Sequence, residues 1–176
     1  MPEYSFTLII QGDVDARLDE LFEAGCDDAT FGTVDSVHYA DFDREAASLV
    51  EAMSAAVTAI ESVPGLRVSR IEPDDLVTAS EIAKRLGRTR ESVRLLIAGA
   101  RGPGTFPAPI SHLAGVHRLW RWSDVAAWAC RADGATVEQA RLVAAANAAL
   151  ELRARVAALG EDERAFVSRL ERAGTA

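Results

Sequence analysis

The chain has 176 residues, 49% of them hydrophobic, with 19 basic and 27 acidic side chains for a formal net charge of −8. That length carries one large domain or two small ones with an ordinary core, and no apolar run approaches the ~20 residues of a membrane span. MPEYSFTLII lacks the basic region and cleavage pattern of a signal peptide, and Cys26 and Cys130 lie far apart with no Cys-x-x-Cys or Cys/His grouping. A cytoplasmic protein with reduced, packed thiols and no zinc site is therefore expected.

Tyr4, Phe6, Leu8 and Ile10 alternate with Ser5, Thr7 and Gln11, a strand pattern that Ile9 breaks on the second face. Gly12-Asp13 predicts a turn with Asp13 as a helix cap, and Val14, Leu18, Leu21 and Phe22 form a helical stripe ending at Gly25. Asp28 to Thr33 and Val37 to Phe42 read as strands joined by a hairpin turn at Asp35-Ser36. Asp43 is the expected cap of a longer helix carrying Ala46, Val50, Met53, Val57 and Ile60; Pro64-Gly65 ends it, and Leu66 to Ile71 returns as a strand. The order βαββαβ predicts an α+β, ferredoxin-like domain over residues 1–73, with helices on one face of a four-stranded antiparallel sheet.

Chemistry is sparse in this half. Asp13-x-Asp15 and Asp41-x-Asp43 have the spacing of metal carboxylates, but such pairs are more often solvated turn and cap residues. His38 has no Ser, Cys or second His at a recognisable spacing, and Gly-rich phosphate loops are absent. No enzyme activity, cofactor or metal is expected. Because this architecture hosts sensors, enzymes and dimerisation modules alike, the domain is read as a regulatory or interaction module for a protein partner or small ligand.

Glu72-Pro73-Asp74-Asp75 reads as a short charged linker. Beyond it, Thr78 and Glu81 have capping-box spacing at the start of a helix carrying Ile82, Ala83 and Leu86, and Gly87 stops that helix. Thr89 caps a second helix, Arg90 to Ala98, with Val93, Leu96 and Ile97 as its buried stripe. Arg90, Glu91, Arg94 and Ala98 share the opposite face. Two short helices joined by so tight a turn form a helix-turn-helix, whose outer face is what such motifs lay into a DNA major groove. Pro107 and Pro109 then hold an extended segment, Leu113-Ala114-Gly115 reads as a hairpin tip, and Val116 to Trp122 as a strand. Ser123 is the expected cap of a helix carrying Val125 and Trp128.

The runs SEIAKRLGRTRESVRLLI, FPAPI and RLWRWSDVAAW, in that order, resemble the winged-helix domain of excisionase, AlpA-like and MerR-like regulators. The resemblance covers residues 76–130, near one third of the chain. Charge agrees with it: residues 1–75 carry 4 basic and 17 acidic side chains, residues 76–130 carry 8 and 3, and residues 131–176 carry 7 and 7. The basic surplus falls on the segment that would meet phosphates.

The resemblance implies double-stranded DNA as partner and divides the contacts by chemistry. Arg90 and Arg94 are expected to read guanine with two hydrogen bonds, and Glu91 to accept from cytosine or to complement the helix N-terminus. Lys84, Arg85, Arg88 and Thr89, near the first helix and turn, are expected to meet phosphates. Arg101, Arg118 and Arg121, after the second helix and in the wing, suit the backbone or minor groove. Trp120, Trp122 and Trp128 read as core rather than base-stacking residues.

Residues 134–172 read as C-terminal helices, one over 136–159 and one over 161–172, broken at Gly160. Leu142, Ala145, Ala149, Leu152, Val156 and Leu159 recur at heptad spacing, with Phe166 and Leu170 continuing the phase. A homodimer seam is expected, the plainer reading being a stripe that packs on its own chain. The whole chain is thus read as a sequence-specific transcriptional regulator. The alternatives are an antitoxin-type interaction module that autoregulates through its winged helix, and an excisionase-like architectural factor that bends DNA.

Overall fold

In the computed structural model, residues 1–102, 104–111, 118–129 and 134–173 are described. The expected hairpin tip at Leu113-Ala114-Gly115, the start of the wing strand at Val116 and the Cys130 thiol lie outside them. The protein is mixed α+β and divides into two compact units, Met1–Glu72 with the chain from Ala145 on, and Pro73–Ala144. No helix among the described residues is long and apolar enough to cross a membrane.

The first unit holds a four-stranded antiparallel sheet in the order β2-β3-β1-β4, made of β1 (Glu3–Gln11), β2 (Ala29–Val34), β3 (Val37–Glu45) and β4 (Arg67–Glu72). Between them lie a 3-10 turn (Asp15–Arg17), α1 (Leu18–Glu23) and α2 (Leu49–Ser62). Register puts Phe6 opposite Phe42 and Leu8 between Ala40 and Ile71, so the alternation seen in sequence becomes one continuous apolar face. The Phe6 and Phe42 rings stack at 5.4 Å, a cross-strand pair of the kind that fixes register. Val14, Leu21, Met53, Ala56 and Ile60 complete this core. Asp35 and Ser36 both have positive φ, the conformation that matches a two-residue hairpin to strand twist. Gly12, at φ 114°, passes so close to Gly65 that a side chain there would run into the Gly65 carbonyl.

Several expectations need correction. Asp43 does not cap α2. β3 continues through it to Glu45, and Ser48 caps the helix by accepting from the Glu51 N–H at 3.2 Å. The pairing of Asp43 with the Ser5 hydroxyl at 2.6 Å keeps it in the sheet. Leu18, Phe22 and Val50, placed in the buried stripes by sequence, are exposed, because α1 and α2 turn Leu21 and the run Ala52, Met53, Ala56 and Ile60 inward instead.

β4 is an edge strand, and its outer backbone is capped by side chains. In α6 (Gly134–Ala157) Asn147 accepts from the Ile71 N–H at 2.7 Å and donates to the Ile71 carbonyl at 2.8 Å. Glu61 accepts from the Val68 N–H at 3.0 Å, and Arg153 donates both to the Val68 carbonyl at 2.9 Å and to Glu61 at 2.6 Å. An unpaired edge is a template for unwanted strand addition, and these groups occupy it. α7 (Glu161–Ala173) follows, with Phe166 and Leu170 exposed.

The second unit pairs β5 (Leu76–Thr78) with β6 (Leu119–Arg121) and carries α3 (Ala79–Arg85), α4 (Arg90–Ile97) and α5 (Trp122–Ala129). Its core is Val77, Ile82, Ala83, Val93, Trp120 and Val125. Trp120 donates its Nε1–H to the Pro107 carbonyl, and Trp128 donates to the Gly104 carbonyl. The aromatic rings are thus committed to packing and to polar partners inside the unit. Trp122 opens α5 rather than ending a strand, and the described part of the strand is only Leu119–Arg121.

Candidate nucleic-acid interface

The sequence dictates the helix pair closely. At the start of α3 the Thr78 hydroxyl accepts from the Glu81 N–H, and the Glu81 carboxylate accepts from the Thr78 N–H at 2.7 Å, a reciprocal capping box. These hydrogen bonds, the backbone one first, hold the Glu81 carboxyl below the usual range against the effect of burial. At its end the Arg88 N–H reaches the Ala83 carbonyl at 2.8 Å and the Gly87 N–H the Lys84 carbonyl at 3.1 Å. This termination requires a left-handed residue, which Gly87 supplies at φ 62°. Thr89 then accepts from the Ser92 N–H at 3.1 Å and starts α4. Val93 and Leu96 are buried, and the exposed side of α4 carries Arg90, Glu91, Arg94 and Ala98.

On that side Glu91 and Arg94 form a side-on pair. Arg94 Nε donates to Oε2 at 2.9 Å and Nη2 donates to Oε1 at 2.7 Å. The hydrogen bond keeps the Glu91 carboxyl below its ordinary pKa and raises that of Arg94. Two of the five guanidinium hydrogens are thereby used, and the Nη1/Nη2 end remains open for a planar acceptor pair. Arg90 is exposed and has no partner among the described residues.

The other cations divide. Lys84 is exposed on α3. Arg85 departs from its expected phosphate role: it is half-buried, donates to the Asp74 carbonyl at 3.1 Å and lies 5.2 Å from the Trp122 ring centre. Burial lowers its pKa from the ordinary arginine value. Arg118 lies 5.8 Å from the Trp120 ring, and Arg121 is 3.8 Å from Asp75. Arg88 and Arg101 border a cavity of about 150 Å³ walled by Leu86, Leu96 and Trp128.

Sequence reasoning missed Asp75. Assigned to a short charged linker, it is 3% exposed and caps α5: Oδ1 accepts from the Ser123 N–H at 2.7 Å and Oδ2 from the Ser123 hydroxyl at 3.2 Å. Ser123 is therefore the capped residue, not the cap. Of the acids considered as metal ligands, Asp13 accepts from the Ala16 N–H, Asp41 from the Thr7 hydroxyl and Asp43 from the Ser5 hydroxyl. Among the described residues no group of three or more His, Cys, Asp or Glu is placed to hold a metal ion. Cys26 is buried, which pushes its thiol up to about 11 and leaves it protonated at neutral pH.

The heptad stripe is partly open: Ala145 and Ala149 are exposed, and Leu142, Leu152, Val156 and Leu159 half-buried. Asn147, which ties α6 to β4, lies on the other side of the helix.

No protein-family model, curated protein or solved structure matches this chain. The functional reading rests on its own geometry.

Proposed function

We propose that residues 76–130 form a winged helix-turn-helix that reads double-stranded DNA, and that the chain is a sequence-specific transcriptional regulator. The observation that carries this is α4: a helix capped at both ends and anchored by Val93 and Leu96, presenting Arg90 and Arg94 side by side to solvent. An arginine held end-on can give two hydrogen bonds to guanine O6 and N7, a geometry lysine cannot reproduce. Lys84, Thr89, Arg118 and Arg121 are assigned to phosphates, and Glu91 to holding the Arg94 fork. The β5–β6 pair, joined at Ser111 by a bridge to Leu119, supports a wing.

The acidic N-terminal domain we assign to the ferredoxin-like class. Its support is the antiparallel order β2-β3-β1-β4 from a βαββαβ chain. The half-open α6 stripe and the exposed Phe166 and Leu170 support pairing of two chains, as two DNA half-sites require. A second reading, the antitoxin-type interaction module, draws on Phe22, which is 67% exposed, and Val50, 52% exposed, on the N-terminal helices. Co-purification from the native host separates the two: a stoichiometric foreign protein held by the N-terminal domain favours the second, a homodimer that shifts a selected duplex the first.

A further inference from the structure

We propose that the cavity between Arg88 and Arg101 is a binding site for a small ring-bearing carboxylate. This goes beyond DNA reading and does not depend on it, since the site lies wholly within the second unit and its occupancy is measured without DNA.

Arg88 and Arg101 border the cavity, and among the described residues no carboxylate lines it and neither arginine has a side-chain partner. Among the other described arginines of this unit, Arg94 is matched with Glu91, Arg121 with Asp75, Arg85 with a carbonyl and a tryptophan face, and Arg118 with the Trp120 face; Arg90 and Arg141 stand exposed on their helices. Two arginines without a carboxylate partner at the border of one cavity suit an oxyanion.

The walls are apolar, from Leu86, Leu96 and Trp128, and the volume of about 150 Å³ is that of a void which takes up a single benzene ring. It is below the ~300 Å³ at which drug-sized and nucleotide ligands begin. The wall is also built to stay open. Trp128 is fixed by its hydrogen bond to the Gly104 carbonyl at 2.9 Å and by the Phe106 ring at 4.8 Å. Gly102, at φ 87°, lies where a side chain would strike Leu96 and approach Trp128, so its lack of one lets the loop close over these walls.

Leu96 stands about 120–160° around the α4 wheel from Arg90 and Arg94, at ~100° per residue. A ligand seated here rests on the core side of α4 and leaves the base-reading side clear. It braces the helix that carries Arg94 instead of competing for it.

The test uses the full chain and three probes: benzoate, benzamide with the same ring and no charge, and inorganic phosphate with charge and no ring. Binding is followed by tryptophan fluorescence and by titration calorimetry. Benzoate is expected to bind saturably with one site per chain, and the two controls at least about ten-fold more weakly, as loss of charge-assisted hydrogen bonds or of apolar burial requires. Arg88→Gln and Arg101→Gln should each weaken benzoate about ten-fold with circular dichroism and thermal midpoint unchanged. Absence of saturable benzoate binding overturns the proposal. So does benzamide binding as tightly, which reports a plain apolar void, or phosphate binding as tightly, which reports a generic anion patch. A DNA arm covers the remaining source of oxyanion: if either substitution flattens the salt slope on a selected duplex by about one unit and benzoate competes with that duplex, the arginines belong to backbone phosphates and the proposal fails.

Discussion

Asp75 and Ser123, 48 residues apart in sequence, are joined by two buried hydrogen bonds that fasten the segment before β5 to the first turn of α5. The carboxylate also faces the positive end of α5, where a negative charge is favoured. Trp122 adds a third link by donating its N–H to the Asp75 carbonyl at 2.6 Å. Asp75→Ala removes the acceptor and leaves the buried Ser123 N–H unsatisfied, so the second unit should lose about 1–3 kcal/mol. Asp75→Asn keeps one acceptor oxygen and should lose less. Urea unfolding followed by tryptophan fluorescence measures both, since all three tryptophans lie in this unit.

That link also marks where sequence reading stops. Caps and turns that act within four residues were legible: Thr78 with Glu81, Thr89 with Ser92, the left-handed Asp35-Ser36 turn, and Gly87 closing α3. Strand alternation likewise placed Phe6, Leu8 and Ile10 in a core. Contacts that depend on which distant segments meet were not legible. An aspartate after a proline looks like a linker until Ser123 arrives beside it, and Arg85 looks like a phosphate ligand until Trp122 covers it. Asp43 misled because an acid before a helical run is a cap only if the strand has already ended, and β3 had not. The heptad stripe of α6 was visible, whereas the Asn147 grip on Ile71 was not, since it needs the edge of a sheet to be meaningful.

The β4 edge gives the second prediction. Asn147→Ala breaks both bonds to Ile71 and should speed hydrogen exchange at its amide by a factor corresponding to about 1–3 kcal/mol, with the central strand β1 less affected. Unchanged exchange at Ile71 would show that the edge is protected without Asn147.

Acid should loosen the same edge. Burial alone raises the Glu61 carboxyl, but the hydrogen bonds from Arg153 and the Val68 N–H outweigh it and leave its pKa below the ordinary 4.5. A carboxyl depressed in the folded state contributes stability that is present above the unfolded value and lost as pH falls through the folded one. Protection of the Val68 amide is therefore expected to hold above about pH 5 and to fail on acidification below 4.5, and Glu61→Gln should remove this pH dependence.

The α6 stripe gives the fourth. Placing Asp at both Leu152 and Val156 puts charge into the proposed seam and should yield monomers by light scattering, with secondary structure retained. Wild-type protein that stays monomeric at high concentration removes the dimer from the account.

The central claim is that the exposed arginines of α4 read DNA, and selection of bound duplexes from a random pool tests it most directly, run on the wild-type chain and on Arg90→Ala, Arg94→Ala and Lys84→Ala. The account predicts an enriched motif whose affinity falls with salt by about −0.9 per phosphate neutralised. Arg94→Ala should relax one base pair of it at a loss of about 1–3 kcal/mol, and Lys84→Ala should weaken all sequences alike with a slope shallower by about one unit. A pool that yields no motif, or a motif left intact by both Arg90→Ala and Arg94→Ala, contradicts it.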